Sequence, residues 1–286
     1  MKTTLRIAIQ KSGRLQEDSL KLLRESGLAF SSGSNQLKTQ ARNFPVELLF
    51  LRDDDIPQYV EDNVVDIGIV GENVFMEKQK KNILIKKLDF AKCRLSIAVP
   101  RAIPYQSIKD LDGKNIATSY PNIVKKYLLE NGVSAGIHEI SGSVEIAPSI
   151  GLADAICDIV STGSTLLNNG LREVDQVMQS EAVIIGNPEL GDDKKSTLES
   201  LLFRIESVQK AKSNKYILLN CPNNSIDAIT RVIPGMKAPT IIPLKREGWS
   251  SLHSVVNEND CWERIDQLRS FGAEGILVIP IEKMIL

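Results

Sequence analysis

Two short stretches set the rhythm of the chain. Leu5–Gln10 alternates apolar with polar positions, the period of a half-buried strand, and Val46–Leu51 (VELLFL) reads as a second strand. After the first, Leu15, Leu20, Leu22 and Leu23 fall on one face of a helix over residues 15–26, with Gly27 as its stop. After the second, residues 59–64 predict another helix, which leads into a nearly continuous apolar run, 65–70, closed by Gly71. Such a run reads as a buried strand. Strand and helix alternating in this way predict βαβ units, a parallel sheet, and ligands at the carboxyl ends of the strands.

A long strand is predicted over residues 90–100, where the chain is expected to leave a first lobe, and Asn115–Thr118 is a strand of a second. Ser119-Tyr120-Pro121-Asn122 then opens a helix to Glu130, with proline at a permitted early position. Residues 182–185 read as the return strand and 195–212 as a connecting helix. From residue 213 the rhythm changes. Strands over 216–220, 240–244, 251–256 and 275–280, with helices over 225–233 and 261–271, give the βαββαβ order of a ferredoxin-like domain. That segment carries no acid–base pair, nucleophile or phosphate turn, so its simplest role is regulatory or oligomerising.

At 286 residues the chain is long enough for about two domains. A net charge of −1 gives no global pull toward nucleic acid or an anionic membrane, so anions must be held by local cations and helix ends. No apolar run approaches the ~20 residues that span a bilayer. The first residues enter strand-like alternation at once, with no secretory h-region. Cys93, Cys157, Cys221 and Cys261 are widely spaced and, with only His138 and His253, offer no metal-like pairing. A reduced, cytoplasmic protein is expected.

The chemistry concentrates in residues 145–171, EIAPSIGLADAICDIVSTGSTLLNNGL. An apolar strand over 156–160 runs into Ser161-Thr162-Gly163-Ser164-Thr165, and a helix can begin there and stop at Gly170. Strand, small-residue turn and helix together leave main-chain N–H groups free to converge on an anion, with hydroxyls to help. Asp158 is a poor phosphate ligand but a good acceptor for ribose hydroxyls, so the stretch suits a ribose 5-phosphate. It lacks the Gly-Lys-Ser/Thr ending of a Walker loop. The same residues also fit an ordinary capped helix after a buried strand. Lys11-Ser12-Gly13-Arg14 sets two cations at a helix start, which is either a solvated turn or a polyphosphate contact. Arg52 can stack on or bridge nucleotide groups. The acids that follow it, Asp53, Asp54 and Asp55, point different ways in a first helical turn and suit its dipole better than a metal.

Glu145, Gly151, Ala153, Ile156, Asp158, Thr162, Gly163, Thr165 and Leu166 together resemble the signature of the ATP phosphoribosyltransferases, in their long form with a C-terminal regulatory region. The resemblance extends over nearly the whole chain. It implies an α/β fold: a two-lobed catalytic core of the periplasmic-binding-protein type II shape, plus a C-terminal ferredoxin-like regulatory domain. Residues 1–91 and 183–211 would form lobe I, 92–182 lobe II, and 212–286 the regulatory domain. It implies transfer of the phosphoribosyl group of 5-phosphoribosyl 1-pyrophosphate to N1 of ATP, the opening step of histidine biosynthesis, with feedback inhibition by L-histidine. The phosphoribosyl substrate would be held by Glu145, Asp154, Asp158, Ser161, Thr162, Gly163, Ser164 and Thr165. ATP and the polyphosphates would meet Lys11, Arg14, Arg52, Asp66, Gly71, Glu72 and Tyr120. Mg²⁺ would arrive on the substrate, with no dedicated metal site. Thr240 and Ala273 would lie near histidine at a subunit interface of a homo-oligomer, dimeric and hexameric by resemblance.

Two other readings compete. The nucleotide-salvage phosphoribosyltransferases share an acid followed by Thr-Gly-x-Thr, but Cys157 stands where their fingerprint has a second acid. A two-lobed solute-binding or effector-sensing module without turnover would share the shape.

Overall fold

The computed structural model describes residues 4–31, 33 and 36–286. It divides into two compact units, Met1–Lys21 with Leu28–Thr197, and Leu22–Gly27 with Leu198–Leu286. The second unit is wider than 212–286, because it takes in part of the long connecting helix.

The first unit holds two α/β lobes. In lobe I, β1 (Leu5–Gln10) leads to α1 (Arg14–Glu25), then β2 (Lys38–Gln40), β3 (Val46–Leu51), α2 (Ile56–Glu61), β4 (Ile67–Gly71), α3 (Glu72–Lys78) and β5 (Ile83–Lys87). β3 buries every second residue, and Gly27 at φ +84° ends the first helix as predicted. Lobe II follows with β6 (Cys93–Pro100), β7 (Asn115–Thr118), α4 (Pro121–Glu130), β8 (Gly136–Glu139), β9 (Ala155–Val160), α5 (Ser164–Asn168) and β10 (Leu171–Ser180). The chain then returns to lobe I as β11 (Ala182–Gly186) and enters α6 (Asp192–Lys212).

The lobe I sheet has the order β2-β3-β1-β4-β11-β5, with β3, β1 and β4 parallel and β2 and β11 antiparallel to their neighbours. The lobe II sheet has the order β10-β6-β9-β7-β8, with β9, β7 and β8 parallel. Each sheet is buried against its own helices, around Ile56, Val60 and Val74 in lobe I and around Val124 and Leu128 in lobe II. The two connections between lobes lie side by side. Leu88 N–H donates to Ala182 O, and Ala182 N–H to Phe90 O, each at 2.9 Å. This is the periplasmic-binding-protein type II shape, with the carboxyl ends of the parallel strands of both lobes turned to one cleft.

In the second unit, β12 (Asn214–Pro222), α7 (Ile226–Val232), β13 (Thr240–Pro243), β14 (Trp249–Asn257), α8 (Glu258–Ser270) and β15 (Glu274–Pro280) form an antiparallel sheet of order β13-β14-β12-β15. The ferredoxin-like order predicted from the sequence is the one observed. Its core gathers Ile217, Leu219, Leu252 and Leu268 under the two helices.

Candidate active site

The ends of β1 and β3 are tied together, because Lys11 N–H donates to Leu51 O at 2.7 Å. Lys11 and Arg52 are thereby adjacent, and Gly13 at φ +92° turns the chain so that Arg14 begins α1 beside them. All three cations are exposed, and among the described residues none has an acidic partner within ion-pair distance. Their neighbours differ: Lys78 pairs with Asp54 at 3.3 Å and Lys87 with Glu72 at 2.9 Å. Uncompensated guanidinium and ammonium groups at the strand ends are what a polyphosphate needs.

Across the cleft, β9 ends in the Ser161–Thr165 turn. Ser161, Thr162, Ser164 and Thr165 are exposed, so the turn is open and not packed under apolar side chains. Gly163 adopts φ +81° and caps α5, a conformation that a β-branched residue resists. The Thr162 and Ser164 hydroxyls stand 3.1 Å apart on the same side. Arg94 fixes the start of the turn. Its Nε and Nη2 donate to the two oxygens of Glu173 at 2.5 and 2.6 Å, and its Nη1 donates to Ser161 O at 3.1 Å. In a trans peptide the N–H opposes the C=O, so holding the Ser161 carbonyl toward Arg94 turns the Thr162 N–H the other way. Ser96 donates a further bond to Glu173 at 2.8 Å. Sequence reasoning missed Arg94 and Glu173. The only signal was one arginine in an apolar strand, and its partner lies in β10, a strand the residue pattern did not predict.

Carboxylates gather between these two groups. Asp158 lies in β9, and burial pushes its pKa above the ordinary carboxylate value; the Ile159 N–H opposes the rise and nearby Glu145 adds to it. Tyr120 is held in its phenol form chiefly by burial, then by the charges of Asp158, Asp53 and Asp54. Its hydroxyl accepts from Asn73 Nδ2 at 3.0 Å, and Asn73 is in turn bonded to the Ser180 hydroxyl. Tyr120 thus sits at the seam of the lobes, within electrostatic reach of Asp158 on its own lobe and Asp53 on the other. One oxygen of Asp53 is enclosed without a hydrogen-bond partner, and burial, reinforced by Asp54 and opposed by Lys78, pushes this carboxyl up to about 6. Glu72, at the start of α3 next to Gly71, lines an interlobe cavity of ≈ 460 Å³ with Ser161, Arg94, Lys87 and Ser180. Cys157 is fully buried, and burial raises its thiol well above the usual range.

Two expected residues are not brought to the cleft. Asp66 stands at the amino end of β4, five residues and about 16 Å of strand from Gly71. Its carboxylate accepts from Arg6 N–H and from Lys194 Nζ, both at 2.7 Å, which makes it a structural anchor. Asp154 stands at the amino end of β9, about 20 Å of strand from the turn, and accepts from Asn115 N–H at 2.9 Å. In both cases a strand separates an acid from a glycine turn that is near it in sequence. In the second unit, Thr240 begins one edge strand and Ala273 precedes the other, about 14 Å apart across the sheet. Ala273 lines a cavity of ≈ 770 Å³ with Trp262, Arg269 and Gly275.

Comparison with known proteins gives the family. The family model HisG, ATP phosphoribosyltransferase, matches residues 52–207, and that of the HisG C-terminal domain matches 211–283. The ATP phosphoribosyltransferase of Cytophaga hutchinsonii is 59% identical over 285 residues, covering 100% of both chains. That of Bacteroides thetaiotaomicron is 55% identical over 282 residues, 99% of this chain and 100% of the relative. Among solved structures, the ATP phosphoribosyl transferase (HisG:HisZ) complex from Thermotoga maritima aligns at a TM-score of 0.60 and 31% identity, covering 71% of this chain and 99% of that one. Matched by both family models and more than half identical to proteins of that name along its length, the chain belongs to the ATP phosphoribosyltransferase family.

Proposed function

We propose that the interlobe cleft joins ATP to 5-phosphoribosyl 1-pyrophosphate through N1 of adenine, with Ser161–Thr165 holding the 5-phosphate, Glu145 and Asp158 the ribose hydroxyls, and Lys11, Arg14 and Arg52 the polyphosphates. The observation that carries this assignment is the pairing of an open turn on lobe II with three uncompensated cations on lobe I. N1 forms a bond to the anomeric carbon, and the bond from that carbon to the pyrophosphate oxygen breaks. The protein's part is to align the two substrates and to offset the charge of the leaving group. Tyr120 and Glu72 flank the nucleotide in this arrangement. Asp66 and Asp154 hold structure instead.

A Mg²⁺ ion arriving with the phosphoribosyl substrate would supply charge neutralisation. Asp158 and Glu145, near enough for the charge of one to act on the other, would help to hold a metal that arrives on the substrate. The lobes formed by 1–91 with 183–211 and by 92–182 would be catalytic, and 212–286 would bind L-histidine as feedback inhibitor. Thr240 and Ala273, on opposite edges of one sheet, can meet one ligand when contributed by two copies, which favours a homo-oligomer. A cytoplasmic location follows from the pathway. No described helix is long and apolar enough to cross a membrane.

The test is direct: purified protein with Mg²⁺, ATP and 5-phosphoribosyl 1-pyrophosphate should release pyrophosphate and form phosphoribosyl-ATP. No product with ATP, or product with free adenine in its place, overturns the assignment.

A further inference from the structure

The amino end of α4 is an anion site that the protein itself fills. The helix runs ten residues from Pro121, and its N-cap residue, Tyr120, makes no side-chain cap bond. The N–H groups of Asn122 and Ile123 donate instead to Glu77, one to each carboxylate oxygen, at 3.0 Å. Glu77 belongs to α3, on the other lobe, and is buried. The contact is reinforced from both sides. Asn122 Nδ2 donates to the Glu77 main-chain oxygen at 3.0 Å, and one turn earlier Asn73 donates to the Tyr120 hydroxyl. A helix of one lobe is therefore capped by a carboxylate of the other, through charge-assisted bonds aligned with the helix dipole. Two consequences follow. Substrate phosphate is excluded from this helix end, and α4 with Tyr120 is held at a fixed distance from the cations of lobe I.

We propose that Glu77 is a positioning residue for phosphoribosyl transfer: by capping α4 from the opposite lobe it sets the spacing across which the acceptor nitrogen on one side and the phosphoribosyl carbon on the other must meet. This rests on the cleft assignment given above. Reacting atoms must be brought within a few tenths of an ångström of their productive separation, and a loosened seam loses that alignment while each lobe keeps its own ligand contacts. The Ser161–Thr165 turn, Asp158 and Glu145 lie wholly in lobe II, so affinity for the ribose 5-phosphate moiety alone should not depend on Glu77.

The experiment compares full-length wild type, Glu77→Ala and Glu77→Gln by steady-state kinetics, by calorimetric binding of ribose 5-phosphate, and by amide hydrogen exchange. Glu77→Ala should lower kcat by about tenfold or more while the dissociation constant for ribose 5-phosphate, whose proposed contacts all lie in lobe II, stays within about threefold. Asn122 and Ile123 amides should exchange faster while those of β7 and β9 keep their protection. Glu77→Gln, which keeps one acceptor oxygen, should recover part of kcat. A kcat within about twofold of wild type in Glu77→Ala, with the two amides exposed, overturns the proposal. So does loss of protection through β7 and β9, which would make Glu77 a stabiliser of lobe II only. A wild type that forms no product overturns the cleft assignment instead, and the exchange data would still report whether the cap exists.

Discussion

At the scale of single residues, Gly163 and Asp53 make separable predictions. A Cβ on Gly163 meets nothing in the protein nearer than Val160 Cγ1 at 3.9 Å, so Gly163→Val intrudes on the space proposed for the 5-phosphate and not on the core. Valine at φ +81° also strains the turn, at a cost on the order of 1–2 kcal/mol. The KM for 5-phosphoribosyl 1-pyrophosphate should rise by at least about tenfold with the KM for ATP little changed, and initial-rate kinetics on both substrates measure this. Asp53 speaks to stability. Its carboxyl holds a proton more tightly in the folded protein than in the unfolded chain. Stability from this group is therefore undiminished below the ordinary carboxylate value near 4, falls as pH rises toward about 6, and carries the full penalty above it. Asp53→Asn should remove that fall, leaving the variant more stable than wild type at pH 7.5, on the order of 1–3 kcal/mol, and no more stable at pH 4. Denaturant midpoints at the two pH values decide it.

At the scale of elements, the turn is a product of β6 and β10 as much as of its own residues. Arg94→Lys keeps the charge but loses the fork that grips Glu173 and Ser161 O together. It should raise the KM for the phosphoribosyl substrate about as much as Glu173→Gln does, because both release the Ser161 carbonyl, and the double variant should be little worse than either single one. This dependence also marks what the sequence could disclose. Strands with clean alternation or continuous apolar runs, β1, β3 and β7, were predicted with their observed bounds. So was α4, announced by Tyr120-Pro121 and running to Glu130. β10, LREVDQVMQS, has polar side chains on both faces because it edges its sheet with register shifts, and no period of two survives in it. α3 was hidden by its shortness and by the buried polar pair Asn73 and Glu77, which look like loop residues until their partners on the other lobe are known. The Ser161–Thr165 turn and the cations at 11, 14 and 52 were legible because strand–turn–helix junctions declare themselves locally. Asp66 and Asp154 were misjudged because an acid beside a strand carries no mark of which end of it faces the cleft.

At the scale of the whole molecule, the C-terminal unit has its own core and a sheet whose two edge strands expose Ile241, Ile242, Leu277 and Ile279. If histidine is sensed there between copies, Thr240→Val, which removes one hydroxyl from an exposed edge at nearly constant volume, should raise the histidine concentration for half-inhibition about tenfold. An inhibition curve unchanged from wild type would place the sensor elsewhere. The two lobes of the first unit raise a different matter. Their connecting segments run through residues 88–92 and through Glu181, bonded to each other, with Asp89 and Ala91 in left-handed conformations at the crossing. Such a pair of adjacent pins leaves one axis for opening, and travel grows with distance from it. Glu72 and Ser161, which share the cavity at those pins, would move least, so under the proposed assignment a 5-phosphate held there would keep its register while the far rim of the cleft did the swinging.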